Sequence, residues 1–262
     1  MAIALKKNKL PVKVYADRTA MGEAAASEVM NKINELLTKQ DFVNIIFAAA
    51  PSQNEFLAAL TKSAVDWSRI RAFHMDEYIG LSKDAPQAFA NFLKEKILGK
   101  LPFTATYYLN GNTITPEEEC KRYAGLLKEY PVDIVCMGIG ENGHIAFNDP
   151  PVANFEEEQL VKIVGLDAAC RQQQVNDGCF TTINQVPQKA ITLTIPALMA
   201  ARYIYCMVPG ATKAQAVFNT LNQQIVTQYP STILRRHDNA ILYLDKLSSG
   251  KLDNFNLLVN EN

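Results

Sequence analysis

Short apolar runs rich in β-branched residues recur along this chain, separated by longer stretches whose apolar positions return every three to four residues. The runs at 12–15, 43–47, 70–74, 132–137, 161–163, 190–195, 203–208 and 240–244 predict strands. Helical periodicity predicts helices over about 18–38, 54–65, 86–98 and 116–130. Pro116 suits a first helical turn, and Glu117, Glu118 and Glu119 favour the positive end of that helix dipole. Strands alternating with helices predict an α/β protein with a mostly parallel sheet.

Composition narrows the possibilities. A chain of 262 residues that is 48% hydrophobic can bury a substantial core, and with no repeat, low-complexity segment or linker it is expected to form one domain over 1–262. A net charge of -1 and a pI near 6.3 supply no field for nucleic acid or an acidic membrane. No apolar stretch reaches the roughly 20 residues that span a bilayer. The first five residues are apolar and precede Lys6, Lys7 and Lys9, the reverse of a secretory signal, so a cytoplasmic location is expected. Cys120, Cys136, Cys170, Cys179 and Cys206 form no C-x-x-C pair and suggest reduced thiols, and three histidines argue against a multi-histidine metal centre.

Candidate chemistry gathers at strand ends. Gly138-Ile139-Gly140-Glu141-Asn142-Gly143-His144 follows the predicted strand at 132–137, and Asp149 stands five residues past His144. Glycines there let backbone approach a ligand, and a carboxylate can hold one imidazole nitrogen while the other moves a proton. Asp76 and Glu77 follow the strand at 70–74, flanked by apolar and aromatic residues; a partly buried carboxylate there becomes a base near neutral pH, whereas a structural pair would cap the next turn or bind lysines. Ser52 and Lys213 stand at two strand-to-helix turns and suit a phosphate, or serve as an N-cap and a surface lysine; Arg171 is a third candidate cation. Residues 149–159 read as an acidic surface loop or as a lid, and residues 235–237 as a solvated turn or an interface. No Gly-x-Ser-x-Gly elbow occurs, and no third glycine completes a dinucleotide fingerprint.

Together, Phe73-x-Met75-Asp76-Glu77-Tyr78, Gly138-Ile139-Gly140-x-Asn142-Gly143-His144-Ile145-Ala146-Phe147-Asn148, Asn184-Gln185-Val186-Pro187 and Gly210-x-x-Lys213-Ala214 resemble the glucosamine-6-phosphate deaminase (isomerase) family. The resemblance implies a Rossmann-like three-layer sandwich that converts an aldosamine 6-phosphate, glucosamine 6-phosphate first, into a ketose 6-phosphate and ammonia without metal or organic cofactor. It makes Asp76 the base that moves a proton from C2 to C1, and His144, oriented by Asn142 and Asp149, the ring-opening group. Ser52, Lys213 and Arg171 would hold the phosphate, and Glu77, Gly140 and Gly143 would line the substrate pocket. The partners implied are a small sugar phosphate and, as is common in the family, further copies of the chain.

Three departures from the family pattern stand out. Asparagine stands at 142, where aspartate is frequent, and Asp149 replaces a usual glutamate. The common phosphate loop Thr-Gly-Gly-Ser/Thr-Pro reads Ala49-Ala50-Pro51-Ser52-Gln53. A related 6-phosphogluconolactonase, a hydrolase, would continue Ala-Ser-Leu-Phe-Pro where this chain has Ala146-Phe147-Asn148-Asp149-Pro150. A sugar-phosphate sensor would need an N-terminal DNA-binding segment, whereas the fold is expected to begin by Val12.

Overall fold

Strands and helices alternate through residues 3–252, which the computed structural model describes. The strands are β1 (Ile3–Lys7), β2 (Leu10–Tyr15), β3 (Val43–Phe47), β4 (Ile70–His74), β5 (Asp76–Tyr78), β6 (Ala105–Tyr107), β7 (Ile134–Met137), β8 (Val161–Gly165), β9 (Lys189–Leu193), β10 (Tyr203–Val208) and β11 (Ala240–Asp245). The helices are α1 (Arg18–Leu37), α2 (Asn54–Leu60), α3 (Phe89–Leu93, continued by a π turn to Leu98), α4 (Pro116–Glu129), α5 (Ala168–Asn176), α6 (Ile195–Met199) and α7 (Ala214–Asn222). None of the described helices is long and apolar enough to cross a membrane.

The main sheet has eight strands in the order β1-β2-β11-β10-β7-β3-β4-β6. Only the β1–β2 hairpin is antiparallel; every other neighbouring pair is parallel. β3 and β7 are buried along their whole length, as continuous apolar runs in a sheet covered on both faces should be. Their side chains divide by the strand period: Val135 and Met137 enter one hydrophobic cluster, Ile134 and Cys136 the other. Helices therefore pack on both sides, giving the three-layer α/β sandwich that the resemblance implied.

α1 starts where Asp17 accepts a hydrogen bond from the Ala20 backbone N–H, and it buries Met21, Ala25, Val29, Ile33 and Leu36 along one stripe. The predicted helix at 54–65 stops at Leu60, and that at 86–98 begins only at Phe89.

A second sheet corrects the expectation of one sheet. The predicted strands at 161–163 and 190–195 become β8 and β9, which pair antiparallel with each other and with β5. β5 has three residues, too short to show a period, and its partner β9 lies more than a hundred positions away. The chain leaves the main sheet at Met75, whose carbonyl accepts the Leu193 N–H at 2.8 Å, and Asp76 opens the second sheet. Parallel β3, β4, β7 and β10 all end on the same edge, so the segments after them converge.

Candidate active site

After Met137 the chain folds back on itself. Gly140 N–H donates to the His144 carbonyl at 2.9 Å and Gly143 N–H to the Gly140 carbonyl at 3.0 Å. Gly143 takes φ +88°, a left-handed conformation that costs side-chain-bearing residues about 1–2 kcal/mol. The His144 ring lies directly over Gly140, where a Cβ would stand 2.1–2.4 Å from three ring atoms. The Gly-x-Gly spacing is thus a seat for the imidazole rather than a nucleotide loop.

His144 Nδ1 lies 2.9 Å from Asp149 Oδ1 and 2.8 Å from Asn142 Oδ1. Asn142 Nδ2 donates to the same Asp149 oxygen at 2.9 Å, and the His144 N–H donates to Asn142 Oδ1 at 3.1 Å. Facing two oxygens, Nδ1 carries the proton, and Nε2 is the nitrogen left to exchange one. The departures at 142 and 149 are accommodated. The amide at 142 offers one end to His144 and the other to Asp149, where a carboxylate would meet a like charge; the shorter Asp149 still reaches the ring. Asp149 is buried beside the Cys170 thiol. Burial pushes its carboxyl up, but the hydrogen bonds and charge of His144, with help from Asn142 and Cys170, hold it below the ordinary carboxylate range.

Asp76 lines the same cleft as His144 and is 7% exposed. Burial drives its carboxyl well above the ordinary range, and the neighbouring Glu77 charge adds to this. Glu77 faces the other way, because successive strand side chains alternate. Its carboxylate accepts the backbone N–H groups of Tyr78 (2.9 Å), Phe89 (3.1 Å) and Ala90 (2.8 Å), capping α3. It does not line the cleft, which corrects the expectation for that residue. Gly140 does line it; Gly143 does not, and serves the turn instead.

Ser52 and Lys213 also line the cleft, having arrived from the loops after β3 and β10. Lys213 is buried, which pulls its ammonium below the ordinary lysine range, while Asp177 and Glu141 partly oppose that shift. Arg171 is not among the lining side chains, contrary to expectation. Its guanidinium donates to the backbone carbonyls of Ile183 (2.6 Å) and Val186 (3.0 and 3.2 Å). The cause is helical phase: Gln173, Gln174 and Asp177 line the cleft, and Arg171 projects from a different side of α5.

Gln173, Gln174 and Asp177 were missed from the sequence. With Cys170 they fall at i, i+3, i+4 and i+7, and that polar stripe on a helix was the available signal. Of the segment 149–159, Asp149 contacts His144, no residue of 150–159 lines the cleft, and Lys162 Nζ donates to the Val152 carbonyl at 2.7 Å and pairs with Glu157.

Residues 16–243 match the family model described as glucosamine-6-phosphate isomerases/6-phosphogluconolactonase. The glucosamine-6-phosphate deaminase of Streptococcus pyogenes serotype M49 (strain NZ131) is 34% identical over 206 residues, 79% of this chain and 86% of that protein. That of Bacillus cereus (strain G9842) is 33% identical over 214 residues, 82% of this chain and 80% of its own length. A solved monomeric glucosamine-6-phosphate deaminase superposes with a TM-score of 0.84 at 25% identity, covering 91% of this chain and 98% of that one. The 6-phosphogluconolactonase of Thermotoga maritima shares the fold, with a TM-score of 0.74 at 18% identity over 90% of this chain and 99% of its own. By both sequence and architecture, this chain belongs to the glucosamine-6-phosphate isomerase/6-phosphogluconolactonase family.

Proposed function

We propose that the protein is an aldosamine-6-phosphate deaminase/isomerase that converts glucosamine 6-phosphate into fructose 6-phosphate and ammonia. The observation that carries this reading is the sharing of one cleft by a buried carboxyl, Asp76, and an imidazole, His144, with Ser52 and Lys213 in the same wall. C2 of the sugar becomes acidic only once C1 is a carbonyl, so the reaction needs a ring-opening group and a separate enolising base.

His144 Nε2 takes the proton of the anomeric hydroxyl and returns it to the ring oxygen as the C1–O bond of the ring breaks. Asn142 and Asp149 fix the tautomer that does this. Asp76, ionised, then removes the C2 proton; the electron pair forms C1=C2, and the C1 oxygen takes a proton from the substrate's own 2-ammonium group, giving an enolamine. The same carboxyl delivers its proton to C1, leaving an imine at C2 that water hydrolyses to the ketose and ammonia. Burial makes Asp76 a stronger base than a solvated aspartate, and one carboxyl reaches both carbons because the remote phosphate is anchored by Ser52 Oγ and Lys213 Nζ. Arg171, held by carbonyls, supports α5 rather than the phosphate. The activity is that of a cytoplasmic enzyme acting on a small sugar phosphate, a reading supported by the five free cysteines and the near-neutral net charge.

The test is turnover of glucosamine 6-phosphate in deuterated water. Ammonia and fructose 6-phosphate are expected, with C1 receiving the former C2 hydrogen, or deuterium wherever the Asp76 carboxyl exchanges before delivery, and Asp76→Asn lowers the rate by about a thousandfold or more. Turnover of glucosamine 6-phosphate by Asp76→Asn at the native rate would refute the role of Asp76. Hydrolysis of 6-phosphogluconolactone with no ketose formed would assign the cleft to the hydrolase branch instead. Comparing the galactosamine and mannosamine 6-phosphates fixes the epimer.

A further inference from the structure

Gln53 is 1% exposed and stands where the common phosphate loop has proline. Its side-chain amide donates to Ser52 Oγ at 3.3 Å and to the Met207 carbonyl at 3.2 Å. Met207 lies near the end of β10, the strand that leads to Lys213. Between the two lies the end of β7, and the amide crosses it at Gly138. A Cβ there would stand 3.1 Å from Gln53 Nε2, 3.3 Å from the Met207 carbonyl oxygen and 3.5 Å from Ser52 Oγ. Because β3, β7 and β10 are consecutive in the sheet, one side chain spans three neighbouring strand ends.

From this juxtaposition we infer that Gln53 is a positioning residue for the anion-holding arm of the cleft, taking over work that glycine-rich backbone does in the common loop. A serine hydroxyl has one proton and two lone pairs. With Gln53 N–H occupying a lone pair, the Ser52 proton is left for an acceptor in the cleft, such as a phosphate oxygen. The bond to Met207 ties the same loop to the segment carrying Lys213, so hydroxyl and ammonium are held at a fixed separation. In this loop Pro51 has no N–H to give, and the Gln53 N–H is already spent on the Ala50 carbonyl at 2.9 Å. A side-chain donor therefore replaces lost backbone donors indirectly, by aiming a neighbour. From outside, Arg18 donates to the Pro51 carbonyl at 2.9 Å and braces the loop.

This inference rests on the reading of Ser52 and Lys213 as the phosphate ligands, and it is tested with a measurement that needs no turnover. Binding of inorganic phosphate is measured by calorimetry, beside steady-state kinetics on glucosamine 6-phosphate, for the native protein, Gln53→Met and Gln53→Glu. Methionine keeps the length and apolar body of the side chain but makes neither hydrogen bond. With it, the phosphate Kd and the KM for glucosamine 6-phosphate are expected to rise together by about tenfold, the worth of a lost hydrogen bond, while kcat stays within about twofold. Glutamate, which repels both the Met207 carbonyl and the bound anion, is expected to raise both constants further. An unchanged phosphate Kd in either folded variant overturns the inference, as does a fall in kcat with Kd and KM unmoved. A native protein that binds phosphate in a Gln53-dependent manner yet releases no ammonia would overturn the deaminase reading alone.

Discussion

Gly140 and His144 show how one side chain's absence sets another's position. No Cβ fits beneath the imidazole, so Gly140→Ala must displace the ring from Asn142 and Asp149. The expected result is a fall in kcat of about a hundredfold, the cost of misplacing a catalytic group by about an ångström. Phosphate affinity should be unaltered, since Ser52 and Lys213 are carried by other loops; calorimetry beside steady-state kinetics checks both halves. Asp76 and Glu77 form a second residue-scale pair. Asp76 must be ionised to accept a proton, and its carboxyl is raised, so activity is lost as pH falls through that raised value. The acid limb of kcat/KM is therefore expected above the ordinary aspartate value of about 4. Glu77→Gln removes a neighbouring negative charge, lowers the Asp76 pKa and moves the limb to lower pH. The same change sets a side-chain NH2 against one of the α3 amides, and denaturant unfolding should report a loss of about 1–3 kcal/mol.

At the scale of elements, α5 separates two kinds of polar residue by phase alone. Gln173, Gln174 and Asp177 face the cleft, and Arg171 is turned onto the Ile183–Gln185 turn and Val186, where it satisfies two carbonyls. Arg171→Ala is accordingly expected to lower the melting temperature, through a loss of about 1–3 kcal/mol, and to leave the phosphate Kd within about twofold. A rise of tenfold or more in that Kd would return Arg171 to the phosphate site. The segment at 235–237 follows the same rule. Arg235 is buried, donating to the carbonyls of Leu221 and Gln223 at the end of α7, whereas Arg236 is exposed, as the solvated-turn reading expected. Arg235, like Arg69 at the end of α1, closes a helix end, a role its five donors allow without any ligand.

Across the whole molecule, the main sheet is the rigid part and its carboxyl edge the working part. β3, β7 and β10 have paired neighbours on both sides and bury almost every side chain, whereas β1 and β6 are the two edges of the sheet, β1 held only by β2. Native-state hydrogen exchange should find the amides of β3, β7 and β10 opening only with global unfolding, and those of β1 exchanging first. Slow, uniform exchange across β1 would contradict this order. Loops mounted on such a base can place Asp76, His144, Ser52 and Lys213 reproducibly, although each comes from a different part of the chain.

The sequence by itself determined the α/β class, the parallel character of the main sheet, and the identity of Asp76, His144, Asn142 and Asp149 as a candidate set. These were legible because they are local: a strand period of two, a helical period near 3.6, and glycines and titratable groups at strand ends. Even the fit of Asn142 and Asp149 in place of the usual carboxylates lies within one turn of chain. Only the tertiary structure decided that β5, β8 and β9 form a sheet of their own, since their pairing joins residues far apart in the chain. It alone turned Glu77 into a helix cap, took Arg171 out of the cleft and brought in Gln174 and Asp177. Those outcomes depend on which face of a strand or helix meets the cleft, and that is fixed by packing against elements distant in sequence. The bond from Gln53 to Met207 is the extreme case, linking positions 154 apart through the order of three strands that no local pattern encodes.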